Sequence, residues 1–213
     1  MLSWPPSVPP TRALVIAGLV VIAVALAAFG GWAWYDASQR RMSAAYADVM
    51  ARVQATEAPD VTAEAKAAAA RDLEQVLARY PSARAVPHAA YELGNLRFAA
   101  KNYAGARAAY ELALQRGASG MLRPLVRSAI ARTSEAERDF AKAADAYGAL
   151  VKDLAPKSFA YEDALIDHAR TLELAGKKAE AVAAYQKVLK DVPNARRADD
   201  IRTRLAALGT AAR

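Results

Sequence analysis

Three polar side chains recur at one spacing and are of types that bind peptides. Asn95, Arg132 and Arg170 lie about 37 residues apart, so we expect them at the same position of successive structural repeats. Amide and guanidinium groups donate hydrogen bonds that suit a carboxylate or the backbone of an extended peptide. The spacing therefore predicts a polar row that could hold a protein segment.

Neighbouring positions on the same helices extend this row into a candidate binding face. We assign to the face Tyr91, Asn95, Phe98, Ser128, Arg132, Glu135, Ile166, Arg170 and Glu173, and His88 falls at its margin. The alternative is an ordinary polar groove whose charges pair along each helix at a spacing of three, as in Arg132 with Glu135 and Arg170 with Glu173. The residues alone leave both interpretations open.

Signatures of catalysis and of metal binding are missing from the sequence. It contains no His-x3-His pair, nucleophile elbow, paired catalytic carboxylates or phosphate loop. His88 and His168 are the only histidines, and His168 falls where helices pack, which predicts a buried structural side chain. The chain has no cysteine, so disulfides and thiolate metal sites are excluded. We therefore expect no enzyme, no metal and no cofactor.

A repeat of about 37 residues must position these side chains. Leu73, Tyr110, Tyr147 and Tyr185 recur at this period. Small or aliphatic residues accompany them four positions before and three after, namely Ala69 and Val76, Ala106 and Ala113, Ala143 and Leu150, and Ala181 and Val188. A fixed period of this size is typical of stacked helical repeats. The alanine-rich composition also favours closely packed helices, and we predict an all-α fold.

The helices are expected in pairs. Residues 89–100 and 103–115 form the first clear pair, in which Gly94 and Ala106 are small where the helices cross. Matching pairs follow in 126–151 and 165–193, and a final helix over 195–208 has arginines on its outer face, as a solubilising cap does. We predict three to four helix pairs and a C-terminal capping helix.

The repeat pattern resembles the tetratricopeptide repeat. The residues that carry the resemblance are Leu93-Gly94, an aromatic residue after a polar turn, the Ala-x3-Tyr-x2-Ala spacing and the closing prolines, over about 65–208. The period is longer than the usual 34 residues of that family. Ala90, Arg127 and Leu165 stand where the family has a large aromatic residue. The resemblance implies a superhelix that binds other proteins.

An uncharged segment near the N-terminus is long enough to cross a membrane. Residues 13–35 carry no charge, and as a helix these 23 residues would extend about 34 Å, against about 30 Å for a bilayer core. Trp32, Trp34 and Tyr35 cluster at its end, as at a membrane interface. A signal peptide cleaved near Ala27 is the alternative. Ala23, Ala27 and Gly31 form a small-residue row through which two spans could pair.

Four segments follow from these patterns: an N-terminal tail (1–12), a membrane anchor (13–35), a membrane-proximal helix and linker (36–62) and the repeat domain (63–213). Met42, Tyr46, Val49, Met50 and Val53 give the third segment one apolar helical face. We expect this helix to continue from the anchor without a break. Pro59 should end it, and Asp60 or Thr62 should cap the next helix.

The net charge of +7 does not form the continuous basic stripe that nucleic acid requires. Two stretches are densest in arginine, one with Arg116, Arg123, Arg127 and Arg132, the other with Arg196, Arg197, Arg202 and Arg204. They could be solvated helix faces, or they could contact anionic lipid or an acidic partner. We expect no nucleic-acid partner.

The exit from the span, GGWAWYDASQRRMSAAYADVM, resembles bacterial inner-membrane proteins that carry a periplasmic tetratricopeptide domain. This resemblance implies a single-pass inner-membrane protein that assists the Sec translocon, with translocon, envelope chaperones or client chains as partners. A scaffold for cell division or envelope-polymer synthesis is the first alternative. Arg40, Arg41 and Arg52 after the span favour a second, a cytoplasm-facing adaptor. Self-association through repeat ends is compatible with each of them.

Overall fold

The computed structural model describes residues 11–58 and 60–209, which form α-helices and no strands. The helices are α1 (Thr11–Ala55), α2 (Ala63–Arg79), α3 (Val86–Ala99), α4 (Tyr103–Gln115), α5 (Leu122–Ala136), α6 (Phe140–Asp153), α7 (Tyr161–Leu174), α8 (Lys178–Asp191) and α9 (Ala198–Ala207). The all-α prediction is confirmed. Pro59 and most of the predicted tail 1–12 lie outside the described residues.

The chain divides into two compact units, residues 1–45 and 46–213. In the first unit, α1 exposes its apolar side chains, among them Leu19, Phe29 and Trp34. By length and composition, the part of α1 that begins at Leu14 could cross a membrane. The helix continues through Ala55 without interruption, as the sequence predicted.

The second unit begins at Tyr46, in the last third of α1. The Tyr46 side chain is buried, and its hydroxyl donates to the carbonyl oxygens of Val76 and Tyr80 at 3.3 and 3.1 Å. Val49 and Val53 are buried on the same face. These hydrogen bonds join the last part of α1 to α2 and to its C-cap, Tyr80. In the sequence pattern, residues 46–55 were assigned to the membrane-proximal helix and linker, 36–62.

Side-chain caps begin three of the second helices. Thr62 accepts from the backbone N–H of Ala65 at 3.2 Å, so Thr62 is the cap of α2. Asn102 and Asp139 accept in the same way from Gly105 and Lys142, at 2.9 and 3.1 Å. Each cap satisfies one of the free N–H groups at a helix start. The polar turns thus fix where α2, α4 and α6 begin.

Each second helix contributes to the core one large side chain at the same repeat position, with a small residue one turn before it. Leu73, Tyr110, Tyr147 and Tyr185 are all buried, as are Ala106, Ala143 and Ala181 one turn before the tyrosines. The second helices α4, α6 and α8 each pack on the first helix of their own pair and on the helix that follows, and α2 packs on α3. The predicted three to four pairs are confirmed, and α9 closes the stack as a shorter helix than the predicted 195–208.

Candidate protein-binding face

The hydroxyl groups of the buried repeat tyrosines point to the candidate face. Tyr110 donates to Oδ1 of Asn95 at 2.8 Å, and Tyr185 donates to Oε2 of Glu173 at 2.7 Å. The hydroxyl of Tyr147 is hydrogen-bonded with Ser128. Because a buried phenol needs a polar partner, the core fixes one polar residue of each first helix. Asn95, Ser128 and Glu173 are therefore held in place by the tyrosines behind them.

The two arginines of the predicted row differ in their surroundings. Arg132 is exposed, and its guanidinium lies 4.8 Å from the ring centre of Phe98. Arg170 is three-quarters buried and donates to both carboxylate oxygens of Glu135, at 2.5 and 2.8 Å, and to Asp167 at 3.0 Å. Arg170 is thus part of a closed ionic network, whereas Arg132 keeps donors available to a partner.

A third cation continues the row into the capping helix. Arg204 donates to Glu173 at 3.2 Å, across the boundary between the last pair and α9. Arg132, Arg170 and Arg204 thus each contact a residue of the preceding repeat. From the sequence, Arg204 was expected on the outer face of the cap, and it was therefore left out of the predicted row. Its spacing of 34 residues from Arg170, close to one repeat, was the signal that could have found it.

The ion pairs of this face differ from those expected for an ordinary polar groove, which was the alternative interpretation of these residues. That interpretation paired Arg132 with Glu135 and Arg170 with Glu173 along single helices. Instead, Arg170 binds Glu135 from the next repeat, and Arg204 binds Glu173. On this face, within the part of the chain that the structure describes, the one ion pair at a spacing of three is Arg170 with Asp167. Ion pairs on this face therefore tie successive repeats together.

The exposure of the face varies along its length. Tyr91 and Phe98 are half-buried, with the Tyr91 ring 5.8 Å from the ring of Tyr110, while His88 is exposed. Ile166 is only 3% exposed and packs in the core against α8 and α9, so it offers almost no surface to a partner. The accessible part of the face is centred on Tyr91, Phe98 and Arg132.

Burial controls the ionisation of the groups behind the face. It raises the pKa of Tyr110 to about 12, against the nearby charge of Arg132, and it also raises the pKa of Tyr147 and Tyr185. Burial raises the pKa of Asp167 too, while the hydrogen bond from Arg170 opposes this change. The phenols therefore remain neutral donors across the physiological range.

His168 lies in a separate cleft between α6, α7 and α8, whose volume is about 660 Å³. The ring is half-buried rather than buried, and its pKa is lowered by burial. Within the described residues, no three His, Asp or Glu side chains are arranged to hold a metal ion. The cleft around His168 is also lined by Asp145, Glu180 and Lys187, and it contains none of the residues of the candidate face.

A model of the tetratricopeptide repeat-like domain matches residues 12–210. The chain belongs to this family. Tetratricopeptide-type arrays use extended surfaces to bind other proteins, so this chain contains a protein-interaction scaffold of a typically non-catalytic kind. A comparison with curated proteins found no match.

Solved structures share the tetratricopeptide architecture. Two crystal structures of nearly identical TPR-like repeats from a Podosopora anserina kinesin light chain, one of them of a singly substituted form, align with TM-scores of 0.58 and 0.55. They are 17% and 16% identical to this chain, and each alignment covers 80% of it. The alignments cover 85% and 92% of those chains. At this identity the similarity concerns the fold.

The buried tyrosines predict that this tetratricopeptide domain loses stability in alkali. The folded-state pKa of Tyr110, about 12, is above its unfolded value of about 10, so the folded state binds the extra proton between these values. Stability is thus complete below about pH 10 and falls as the pH rises through about 12. Denaturant melts across this range, with tyrosinate absorbance, measure the loss. In Tyr110→Phe the decline should be shallower, and an identical decline would contradict this assignment.

The two arginines of the tetratricopeptide face should respond differently to charge reversal. Arg170→Glu places a third carboxylate beside Glu135 and Asp167 in a site that is about one-fifth exposed, and we expect a loss of about 2 kcal/mol in unfolding free energy. Arg132→Glu removes a cation–π contact with Phe98 and a hydrogen bond with the Tyr110 hydroxyl, and because water can replace both at this exposed site, we expect a loss of about 1 kcal/mol. Thermal melts of the two variants measure this difference, and equal losses would contradict it. Arg132→Glu is therefore the variant with which to test partner binding.

Proposed function

We propose that this protein is a membrane-anchored scaffold that recruits other proteins through its tetratricopeptide domain. The observation that carries the proposal is the combination, in one chain, of an apolar helix long enough to span a bilayer and a repeat domain. An anchor restricts diffusion of the domain to the membrane plane, which raises its effective concentration toward membrane partners. Residues 13–35 are the proposed span, and no nucleic acid is involved.

The face around Arg132 is the proposed contact for partners. Tyr91 and Phe98 provide aromatic surface, and the free donors of Arg132 suit a carboxylate or a peptide carbonyl. The rest of the proposed face is held in position by hydrogen bonds with the buried tyrosines and between repeats, and consists of Asn95, Ser128, Glu135, Arg170 and Glu173. A photo-crosslinking residue at Ser128 should capture the partner, and Arg132→Glu should reduce capture. Undiminished capture by Arg132→Glu would place the contact elsewhere.

The partner that we propose is the Sec translocon of the bacterial inner membrane, with the domain in the periplasm beside exported chains and envelope chaperones. The support is the resemblance of the exit segment GGWAWYDASQRR and of the layout to proteins with that role. Purification of the full-length protein from mildly solubilised membranes, followed by detection of the translocon, tests this. Enrichment of a division or polymer-synthesis complex instead would favour the alternative scaffold.

A cytoplasm-facing adaptor is the second candidate, since basic residues follow the apolar segment and only Arg12 precedes it. Two of these cations are paired, Arg40 with Asp36 and Arg52 with Asp48, but orientation follows positive charges more than net charge. The chain has no cysteine, so single cysteines at Ser3 or Ala207 can report topology by impermeant maleimide labelling of intact cells. Labelling at Ala207 alone supports the periplasmic assignment. Labelling at Ser3 alone supports the adaptor.

Self-association can accompany either role. The repeat array ends at α9, and its last helix leaves Arg202 and other polar groups exposed, as in a cap that keeps an array soluble. Light scattering of the detergent-solubilised full-length protein measures the oligomeric state. A monomer at all accessible concentrations would exclude a homo-oligomer, while a concentration-dependent dimer would support contact through repeat ends.

A further inference from the structure

The connections between successive helix pairs carry only positive charge. We call these four connections, 80–85, 116–121, 154–160 and 192–197, the inter-pair edge. They contain Arg84, Arg116, Lys157, Arg196 and Arg197 and no acidic residue. The turns on the other side, 56–62, 100–102, 137–139 and 175–177, contain three cations and four acids. The charge asymmetry therefore distinguishes one edge of the stack from the other.

Contacts between neighbouring connections show that the inter-pair edge is one surface. The guanidinium of Arg116 donates to the carbonyl of Pro81 at 2.9 Å, which joins the first two connections. Arg196 reaches the start of α7, where its backbone N–H and guanidinium bind Glu162 and Asp163 at 2.8 and 2.9 Å. The hydroxyl of Tyr161 donates to Asp191 at the end of α8. Successive connections and helix ends thus lie side by side.

Some cations of this edge are balanced and others are not. Arg196 is paired with Glu162 and Asp163, and Arg197 with Asp200, while Arg127 in the nearby helix α5 is paired with Asp153. By contrast, Arg84, Lys157 and Arg123 in the first turn of α5 are exposed, and no carboxylate of the described residues pairs with them. Arg116 donates to a neutral carbonyl, and no carboxylate of the part of the chain that the structure describes pairs with it. The edge therefore presents uncompensated positive charge to a large anionic surface.

Exposed apolar side chains lie among these cations. Met121 is 68% exposed, Phe159 50% and Leu125 40%, and Met121 and Phe159 occupy corresponding positions just before α5 and α7. Among the described residues of the second unit, the one other large apolar side chain as exposed as these is Leu174, at the far end of α7. Apolar groups surrounded by basic residues are typical of surfaces that insert into the headgroup region of anionic bilayers.

The second unit also begins next to this edge. Tyr46, the first residue of the second unit, donates its hydroxyl to the carbonyl of Tyr80, where the first connection begins. We propose that the inter-pair edge docks on the headgroups of an anionic bilayer, with Met121 and Phe159 inserted and Arg84, Arg123 and Lys157 over the lipid phosphates. This inference rests on the proposed membrane anchoring, and it adds a second membrane contact, in the repeat domain itself.

Depth-dependent fluorescence quenching tests the docking in the full-length chain. Because there is no native cysteine, a fluorophore can be placed on Ser119→Cys at the inter-pair edge or on Ala100→Cys at the opposite edge, both exposed positions. The protein is reconstituted in phosphatidylcholine vesicles, with or without phosphatidylglycerol, that carry a headgroup-labelled nitroxide lipid. We expect strong quenching at Ser119 only when phosphatidylglycerol is present, weak quenching at Ala100, and loss of the difference at high salt.

Charge-reversal variants show whether docking depends on the charges of the inter-pair edge or on the net charge of the whole protein. Each basic residue near an anionic surface strengthens the contact about fivefold, so Arg84→Glu, Arg123→Glu and Lys157→Glu together should lower the docked-to-undocked ratio by about a hundredfold or more. Lys101→Glu, Arg138→Glu and Lys178→Glu make the same charge change at the opposite edge and should leave quenching at Ser119 largely intact. Met121→Ser with Phe159→Ser should weaken quenching without changing its salt dependence.

Other outcomes would overturn the docking. Equal quenching at Ser119 and Ala100, quenching that is independent of phosphatidylglycerol, or an equal effect of both triple variants would each contradict it. Protection of the Ser119 fluorophore by added polyglutamate but not by lipid would assign the edge to an acidic protein partner instead. Flotation of the protein with neutral vesicles reports the anchor separately. Protein that floats but shows no quenching at Ser119 refutes the docking alone, and protein that does not float refutes the anchoring.

Discussion

Tyr147→Ala should lower the unfolding free energy of the repeat domain by about 3–5 kcal/mol, the usual cost of replacing a buried aromatic residue by alanine. The Tyr147 side chain is 1% exposed and lies in α6, which packs on both α5 and α7. Ala143 and Leu150, one turn before and one turn after it in α6, are buried too, and helices that already carry alanine cannot close the space. The substitution would leave a cavity between two repeats. This cavity would weaken both the contact of α6 with α5 in the same pair and the contact of α6 with α7 in the next pair.

Circular dichroism of the full-length protein in detergent, followed during denaturant unfolding, measures this loss. Tyr147→Phe is the matched variant, since it keeps the ring and removes only the hydrogen bond with Ser128, and it should cost about 1 kcal/mol. Tyr80→Ala, at a half-buried position in the first connection, should cost clearly less than Tyr147→Ala. A midpoint for Tyr147→Ala equal to that of the wild type would contradict the role assigned to the ring.

The repeat architecture could be predicted because it depends on local patterns. One bulky residue per second helix, with alanine one turn before it, specifies where two helices approach, and Tyr110, Tyr147 and Tyr185 are all buried as expected. The helix caps are equally local, as at Thr62 and Asn102. The helix pairs and their order can therefore be predicted from the sequence alone.

The contacts of the candidate face could not be predicted in the same way. Arg170 binds Glu135 across 35 residues and Arg204 binds Glu173 across 31, and such pairs depend on the rotation between successive repeats. A shift of one helical position decides whether Ile166 lies on the surface or in the core. Sequence spacing identifies residues that share a repeat position. It does not show how far one repeat is rotated relative to the next, and so it does not show which residues of the neighbouring repeat a side chain contacts. The arginines were therefore placed in one row, while their partners were not identified.

Gly94→Ala is expected to destabilise the domain although alanine is the better helix former. A Cβ atom built at Gly94 would lie 2.3 and 2.4 Å from two ring carbons of Tyr110, well inside van der Waals contact. The ring cannot move aside easily, because it is fully buried and its hydroxyl is fixed by Asn95 in the same helix as Gly94. Alanine gains about 1 kcal/mol of helix propensity, whereas overpacking of this severity costs about 3 kcal/mol or more. We expect a net loss of about 2–3 kcal/mol in denaturant melts.

Gly148→Ala and a double variant show whether the clash causes that loss. At Gly148 the nearest group is the half-buried ring of His168, whose Nε2 lies 2.9 Å from the added Cβ and which borders an open cleft into which it can turn. This substitution should therefore cost less than about 1 kcal/mol, since the helix-propensity gain of similar size offsets the displacement. In a Tyr110→Leu background the ring is gone, so Gly94→Ala should become neutral or stabilising. If Gly94→Ala lowers the unfolding free energy equally in the wild type and in the Tyr110→Leu background, the clash with the ring is not the cause. Glycine would then be required by the α3 backbone and not by the helix crossing.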